Sequence, residues 1–190
     1  MNQTAPVITR EELPPEVRVL ITRDQIAQKV AEMGAQISRD FAGQSVILLG
    51  VLKGACIFLS DLARHITVNA TFDFIAVSSY GKGAQHSGEV KLIKDVDQSL
   101  TDKNVILVED ILDTGLTLSY LKNVLLAHEP RTLRVAALLD KVSRRLAPVR
   151  ADYTGFEIPD EFVVGYGLDY AERYRNLRDI CVLSPEVYSQ

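Results

Sequence analysis

Two spacings of apolar positions alternate along this chain, and the changes from one to the other outline its fold. Val46-Ile47-Leu48-Leu49, Val105-Ile106-Leu107-Val108 and Thr132–Leu139 are short runs with almost no polar interruption, the pattern of strands buried on both faces. Between them the period lengthens to that of a helix. Ile26, Val30, Met33, Ile37 and Phe41 mark one apolar stripe, Leu118, Leu121, Leu125 and Leu126 mark another, and Ala55–Ile66 forms a third helical segment. Thr22-Arg23-Asp24-Gln25 has the form of a capping box at the start of the first helix, and Gly43 supplies its stop. Thr71–Ser79 and Glu89–Lys94 alternate enough to be strands, and Val17–Ile21 and Asp179–Ser184 add short strands near the two ends. Strands separated by helices predict an α/β fold: a parallel sheet flanked by helices on both faces, as a single domain over residues 1–190.

Composition narrows the class. At 190 residues and 47% hydrophobic the chain suits one well-packed domain, and its net charge of −4 disfavours a general grip on nucleic acid. No stretch approaches a membrane span, and the N-terminus lacks a charged-then-apolar signal pattern. Cys56 and Cys181 each sit in an apolar run, so both are expected to be buried thiols in a reducing, cytoplasmic setting. His65, His86 and His128 share no metal-binding spacing. Ser143-Arg144-Arg145 has the character of a solvated surface run, and Arg173, Arg175 and Arg178 that of a solvated helix face.

The chemistry concentrates in Val105–Thr117. An apolar strand leads into Glu109-Asp110, then Asp113-Thr114-Gly115-Leu116-Thr117, and a helix follows. A loop of this kind, opening a helix, presents free backbone N–H groups and the positive end of the helix dipole to a phosphate. Three carboxylates beside a bare phosphate would repel it. Glu109, Asp110 and Asp113 therefore need ribose hydroxyls, a magnesium ion or a transferable proton as partners. The loop lacks both the Gly-Lys-Ser/Thr ending of a triphosphate loop and the G-x-G-x-x-G dinucleotide fingerprint, which leaves a sugar phosphate. Leu52-Lys53-Gly54, after the Ser45–Gly50 strand, is a second strand-loop-helix junction able to hold an anion. Ser79-Tyr80 opens a Gly-rich stretch through Gly88 that is expected to be a mobile loop.

These segments resemble the phosphoribosyl pyrophosphate (PRPP) motif of type I phosphoribosyltransferases, in the form carried by hypoxanthine-guanine phosphoribosyltransferases. The resemblance extends over nearly the whole chain and includes Pro159-Asp160, Phe162-Val163-Val164-Gly165-Tyr166 and Leu168-Asp169-Tyr170. It implies the type I phosphoribosyltransferase fold, with a core at about residues 22–150 and a small hood from 1–21 and 151–190. It also implies purine salvage, the transfer of the 5-phosphoribosyl group from PRPP to hypoxanthine or guanine, with Mg2+ as cofactor and a homodimer or homotetramer as the assembly.

The same resemblance assigns roles. Asp113 is the catalytic proton acceptor, and Asp113, Thr114, Gly115, Leu116 and Thr117 cradle the 5′-phosphate. Glu109 and Asp110 hold the ribose hydroxyls, directly or through magnesium, and Asp169, counted with the purine site, holds a second magnesium on pyrophosphate. Lys53, Gly54 and Arg175 receive pyrophosphate, in a loop that in the family carries an unusual cis peptide before its lysine. Lys141 reads the 6-oxo group of the purine, Phe162 stacks on it, and the Val163 backbone meets its edge. Ser79 and Tyr80 begin a lid. Leu116 departs from relatives that carry a lysine in the phosphate loop, where backbone N–H groups remain. A regulator of this fold or a transferase for another base is the competing reading. Asp113 and the negative net charge speak against the first, Lys141 against the second.

Overall fold

The computed structural model describes residue 13 and residues 15–79 and 90–188. In chain order the elements are β1 (Val17–Ile21), α1 (Arg23–Asp40), β2 (Ser45–Leu52), α2 (Cys56–Arg64), β3 (Asn69–Ser79), β4 (Val90–Lys94), β5 (Asn104–Leu112), α3 (Leu116–Leu126), β6 (Thr132–Asp140), β7 (Tyr153–Glu157), β8 (Val163–Val164), β9 (Ile180–Leu183) and the single turn α4 (Pro185–Tyr188). The main sheet has the order β4-β3-β2-β5-β6-β7, parallel throughout except for β4, which runs antiparallel on the β3 edge.

Strand pleat distributes the core. Odd and even positions of a strand point to opposite faces, so a strand buried on both sides feeds two cores at once. Leu48, Ile106, Val108, Ala136 and Leu138 join one cluster, which the α1 stripe and Phe58, Leu59 and Leu62 of α2 complete. Their neighbours Ile47, Leu49, Val105, Leu107, Val135 and Ala137 join the other, covered by Leu118, Leu121 and Leu125 of α3. Each fully buried aliphatic side chain contributes about 1.5–3 kcal/mol of transfer free energy, and this two-sided burial holds the layers together. The predicted capping box is present: Thr22 Oγ1 accepts from the Gln25 N–H, and Gln25 Oε1 accepts from the Thr22 N–H at 2.9 Å.

A separate antiparallel sheet, β1-β9-β8, lies apart with its own small core of Val17, Val164, Leu177, Cys181 and Leu183. Its strands come from the two ends of the chain. Within residues 151–190, β7 pairs with β6 through Leu139↔Phe156 and completes the main sheet. Some expectations shift. β5 does not stop at the acidic pair but continues through Leu112, since Ile111 and Leu112 still pair with β6. Cys181 is buried but Cys56 is exposed, because the first turn of α2 turns it away from the sheet. Residues 173–178 are irregular rather than helical, with Ala171, Glu172 and Tyr174 at positive φ. Among the described residues no helix is long and apolar enough to cross a membrane.

Candidate active site

From β2 the chain steps outward to β3 on one side, while β5, β6 and β7 build the other. The carboxyl ends of β2 and β5 therefore flank the point where the strand order reverses, the place where open α/β sheets form a ligand crevice. Lys53 and Gly54 follow β2, and Glu109 and Asp110 lie in the last part of β5. The Leu52–Lys53 peptide is cis. Gly54 and Asp110 are in direct contact: a Cβ on Gly54 would lie 1.7 Å from Asp110 Oδ2. Only glycine leaves room there for the carboxylate.

The acids differ in environment. Glu109 is buried, and desolvation, with the adjacent Asp110 charge adding to it, pushes its carboxyl well above the usual range. Asp110 is pushed up to about 6, chiefly by desolvation. Its own Ile111 N–H, donating to Oδ1 at 2.8 Å, and the nearby Arg175 charge oppose that shift. Asp113 is different again: its side chain is 40% exposed and ion-paired to Arg144, with Nε to Oδ1 at 2.9 Å.

Beyond Asp113 the loop turns into α3. Gly115 has φ 82° and no side chain with which to cap the helix, and a Cβ there would lie 2.6 Å from Val149 Cγ2. The Thr114 carbonyl accepts the N–H groups of Leu146 and Ala147, and the Thr114 hydroxyl accepts the Leu116 N–H at 3.4 Å. The loop is thereby pinned from the far side. Leu116 is 38% exposed and Thr117 half-buried at the opening of the helix.

From β6 comes Lys141, 7% exposed, with its N–H on the Leu112 carbonyl at 2.9 Å and its Nζ 3.8 Å from Asp160. A cavity of about 450 Å³ joins Lys141 to Asp113, Ile111, Phe162, Val163, Leu168 and Asp169. Phe162 stacks on Tyr188 with centroids 4.9 Å apart, and meets Tyr170 edge to face at 5.7 Å. Asp169 pairs with Arg175 at 2.8 Å, and Arg175 also donates to the Gly167 carbonyl. Lys53 is exposed, 3.0 Å from Glu172, which in turn lies 3.4 Å from Arg175. The purine-side and phosphate-side candidates thus share one crevice. Glu109, Asp110 and Asp169 do not gather into a metal cage: among the described residues no three His, Cys, Asp or Glu side chains do. Ser79 ends β3, and Tyr80 with the rest of the expected lid lies outside the described residues.

Several participants escaped the sequence reading. Arg144 and Arg145 are not a free surface run, since Arg145 pairs with Asp140 and donates to the Asp113 carbonyl. Tyr188 lies beyond the last predicted strand. Asp160 stood inside the quoted motif without a role. Only the proximity of Arg144 to Lys141 in sequence hinted at its place.

The phosphoribosyl transferase domain model matches residues 21–171. The chain belongs to that family. It is 49% identical over 171 residues to the hypoxanthine-guanine phosphoribosyltransferase of Bacillus subtilis, covering 90% of this chain and 95% of that protein. The Mycobacterium bovis protein of the same name is 48% identical over 187 residues, 95% of this chain and 93% of that protein. A crystal structure of a hypoxanthine phosphoribosyltransferase from Staphylococcus aureus superposes with a TM-score of 0.87 at 46% identity, covering 91% of this chain and 94% of that one. The type I phosphoribosyltransferase fold that the resemblance implied is the fold of this family member.

Proposed function

We propose that this protein salvages purines by transferring the 5-phosphoribosyl group of PRPP to hypoxanthine or guanine, releasing pyrophosphate. The observation that carries this reading is the single crevice in which the Asp113–Thr117 loop meets a cavity walled by Lys141, Phe162 and Val163. The 5′-phosphate rests on the amide groups of that loop, and Glu109 and Asp110 take the ribose hydroxyls. As N9 of the purine bonds to C1 of the ribose, the bond from C1 to the pyrophosphate oxygen breaks and its electron pair leaves with pyrophosphate. The proton on the imidazole ring of the purine passes to Asp113. Lys53 and Arg175 offset the leaving charge, which the planar fork of Arg175 suits. Lys141 donates to the 6-oxo group. Against it adenine's amino group would leave a buried donor unpaired, so discrimination is strong.

The donor set fits magnesium. The carboxylates of Glu109, Asp110 and Asp169 are hard oxygen ligands, and this ion commonly takes one or two protein carboxylates, with substrate phosphates and water completing its shell. Bound with PRPP, it would neutralise phosphate charge. We place the enzyme in the cytoplasm as a homodimer or homotetramer acting on PRPP and 6-oxopurines, without nucleic acid or membrane partners. The net charge of −4 supports the absence of a nucleic-acid partner. Parallel turnover assays with PRPP and magnesium against hypoxanthine, guanine, xanthine and adenine test the reading. Nucleotide formation with hypoxanthine or guanine and none with adenine is expected; PRPP binding without turnover on any base would point to a regulator instead.

A further inference from the structure

We propose that Arg144 is a positioning residue for Asp113, holding its carboxylate by one oxygen so that the other is left for the purine proton. The proposal rests on Asp113 being the proton acceptor. Arg144 closes a single 3-10 turn, Val142–Arg144, whose backbone is tied back to Lys141 by the Arg144 N–H on the Lys141 carbonyl at 3.1 Å. Lys141 is in turn bonded to the end of β5. The guanidinium is therefore delivered from the same strand end as the base-reading lysine. Its Nε meets Asp113 Oδ1 at 2.9 Å, and its NH1 faces the two Asp160 oxygens at 3.4 and 3.5 Å. Asp160 Oδ1 lies 3.8 Å from Lys141 Nζ. Charges thus alternate Asp113, Arg144, Asp160, Lys141, and all four side chains line the cavity.

Two neighbours divide the work. Arg145 pins the backbone of the loop through the Asp113 carbonyl, so the loop does not need Arg144 to stay in place. Arg144 acts on the side chain alone. Its pair with Asp113 is 42% and 40% exposed, a setting in which ion pairs add little to stability. Such a pair still restricts a carboxylate that would otherwise rotate freely among its rotamers. Asp113 Oδ2 accepts no hydrogen bond among the described residues, which makes it the oxygen available to the imidazole N–H of a purine.

The test is a double-mutant cycle with Arg144→Gln, Arg144→Lys and Asp113→Asn, reading kcat, the KM for PRPP and for hypoxanthine, and thermal melting. Arg144→Gln should lose about ten- to a hundredfold in kcat, the cost of a slightly misplaced catalytic group, with the KM for PRPP and the melting temperature unchanged. Arg144→Lys should recover part of that loss. On top of Asp113→Asn the Arg144→Gln change should cost nothing further, because the group it positions is gone. Wild-type kcat in Arg144→Gln, or an undiminished loss in the double variant, would overturn the proposal. If Arg144→Gln fails to fold, Asp160→Asn loosens the guanidinium from its other side. Its smaller loss must likewise vanish in the Asp113→Asn background. Wild-type turnover in Asp113→Asn would sink the proton-acceptor reading and this proposal together, whereas silence of the Arg144 variants alone sinks only this proposal.

Discussion

Replacing Gly54 by alanine probes the join between the two halves of the sheet with one methyl group. The added Cβ would lie 1.7 Å from Asp110 Oδ2 and 2.6 Å from its Cγ. Real Cβ atoms essentially never approach closer than 3.0 Å, so the carboxylate must retreat by about 1.3 Å or the Lys53-Gly54 loop must lift. Retreat is resisted, because Asp110 Oδ1 is bonded to the Ile111 N–H at 2.8 Å and sits within an ordered strand. Lifting is resisted by the hood, where Gly167 packs so tightly that its own Cβ would lie 2.2 Å from the Gly54 carbonyl. A displacement of about 1 Å in a positioned group costs on the order of a hundredfold in rate. We therefore expect Gly54→Ala to lower kcat/KM for PRPP by about that factor. Its unfolding free energy should fall by only about 1–3 kcal/mol, as for overpacking elsewhere. Steady-state kinetics with PRPP varied at saturating hypoxanthine, beside a urea titration, reads both. Wild-type kcat/KM in a folded Gly54→Ala protein would refute the claim that this contact sets the position of Asp110.

Lys141→Ala should raise the KM for hypoxanthine and guanine far more than that for PRPP, because the buried ammonium faces the cavity rather than the phosphate loop; equal losses on both substrates would make the lysine structural. The raised pKa of Asp110, about 6 against an ordinary 3.8, makes its ionised form a burden on the ligand-free fold. That burden is absent below about pH 3.8, where the group is protonated whether folded or not, and reaches its full size as pH rises through about 6. Asp110→Asn should accordingly raise the urea midpoint of the free protein more at about pH 8 than at about pH 5, and a pH-independent difference would contradict the sign. Thr22→Ala removes one half of the capping box of α1 and should cost about 1 kcal/mol of stability without altering turnover, measured by the same titration.

How much of this was legible in the chain depended on whether the signal was local. Helical stripes, buried strands and the capping box depend on residues within a few positions of one another, and they appear with small shifts at their ends, save that Leu126 of the predicted α3 stripe is exposed. The acidic stretch was legible for the same reason: strand, carboxylates and glycine turn are consecutive, and their order alone implies a phosphate beside a sugar. What pairs across the fold was not. Ser143-Arg144-Arg145 is indistinguishable in sequence from a solvated run, and only folding brings Arg144 to Asp113, Arg145 to Asp140, and both onto the phosphate loop. Tyr188, beyond the last predicted strand, is equally mute until the pairing of β8 with β9 returns the C-terminus to Phe162. The exposure of Cys56 turns on which way the first turn of α2 faces, something a short apolar run does not specify. The environments of the acids required both kinds of information. Glu109 and Asp110 are pushed up because β5 carries them into the sheet. Asp113, only three residues on, leaves the strand for the loop and meets an arginine from the end of β6. Three neighbouring carboxylates thus acquire different chemistry from one strand boundary, and that boundary is where sequence patterns are least precise.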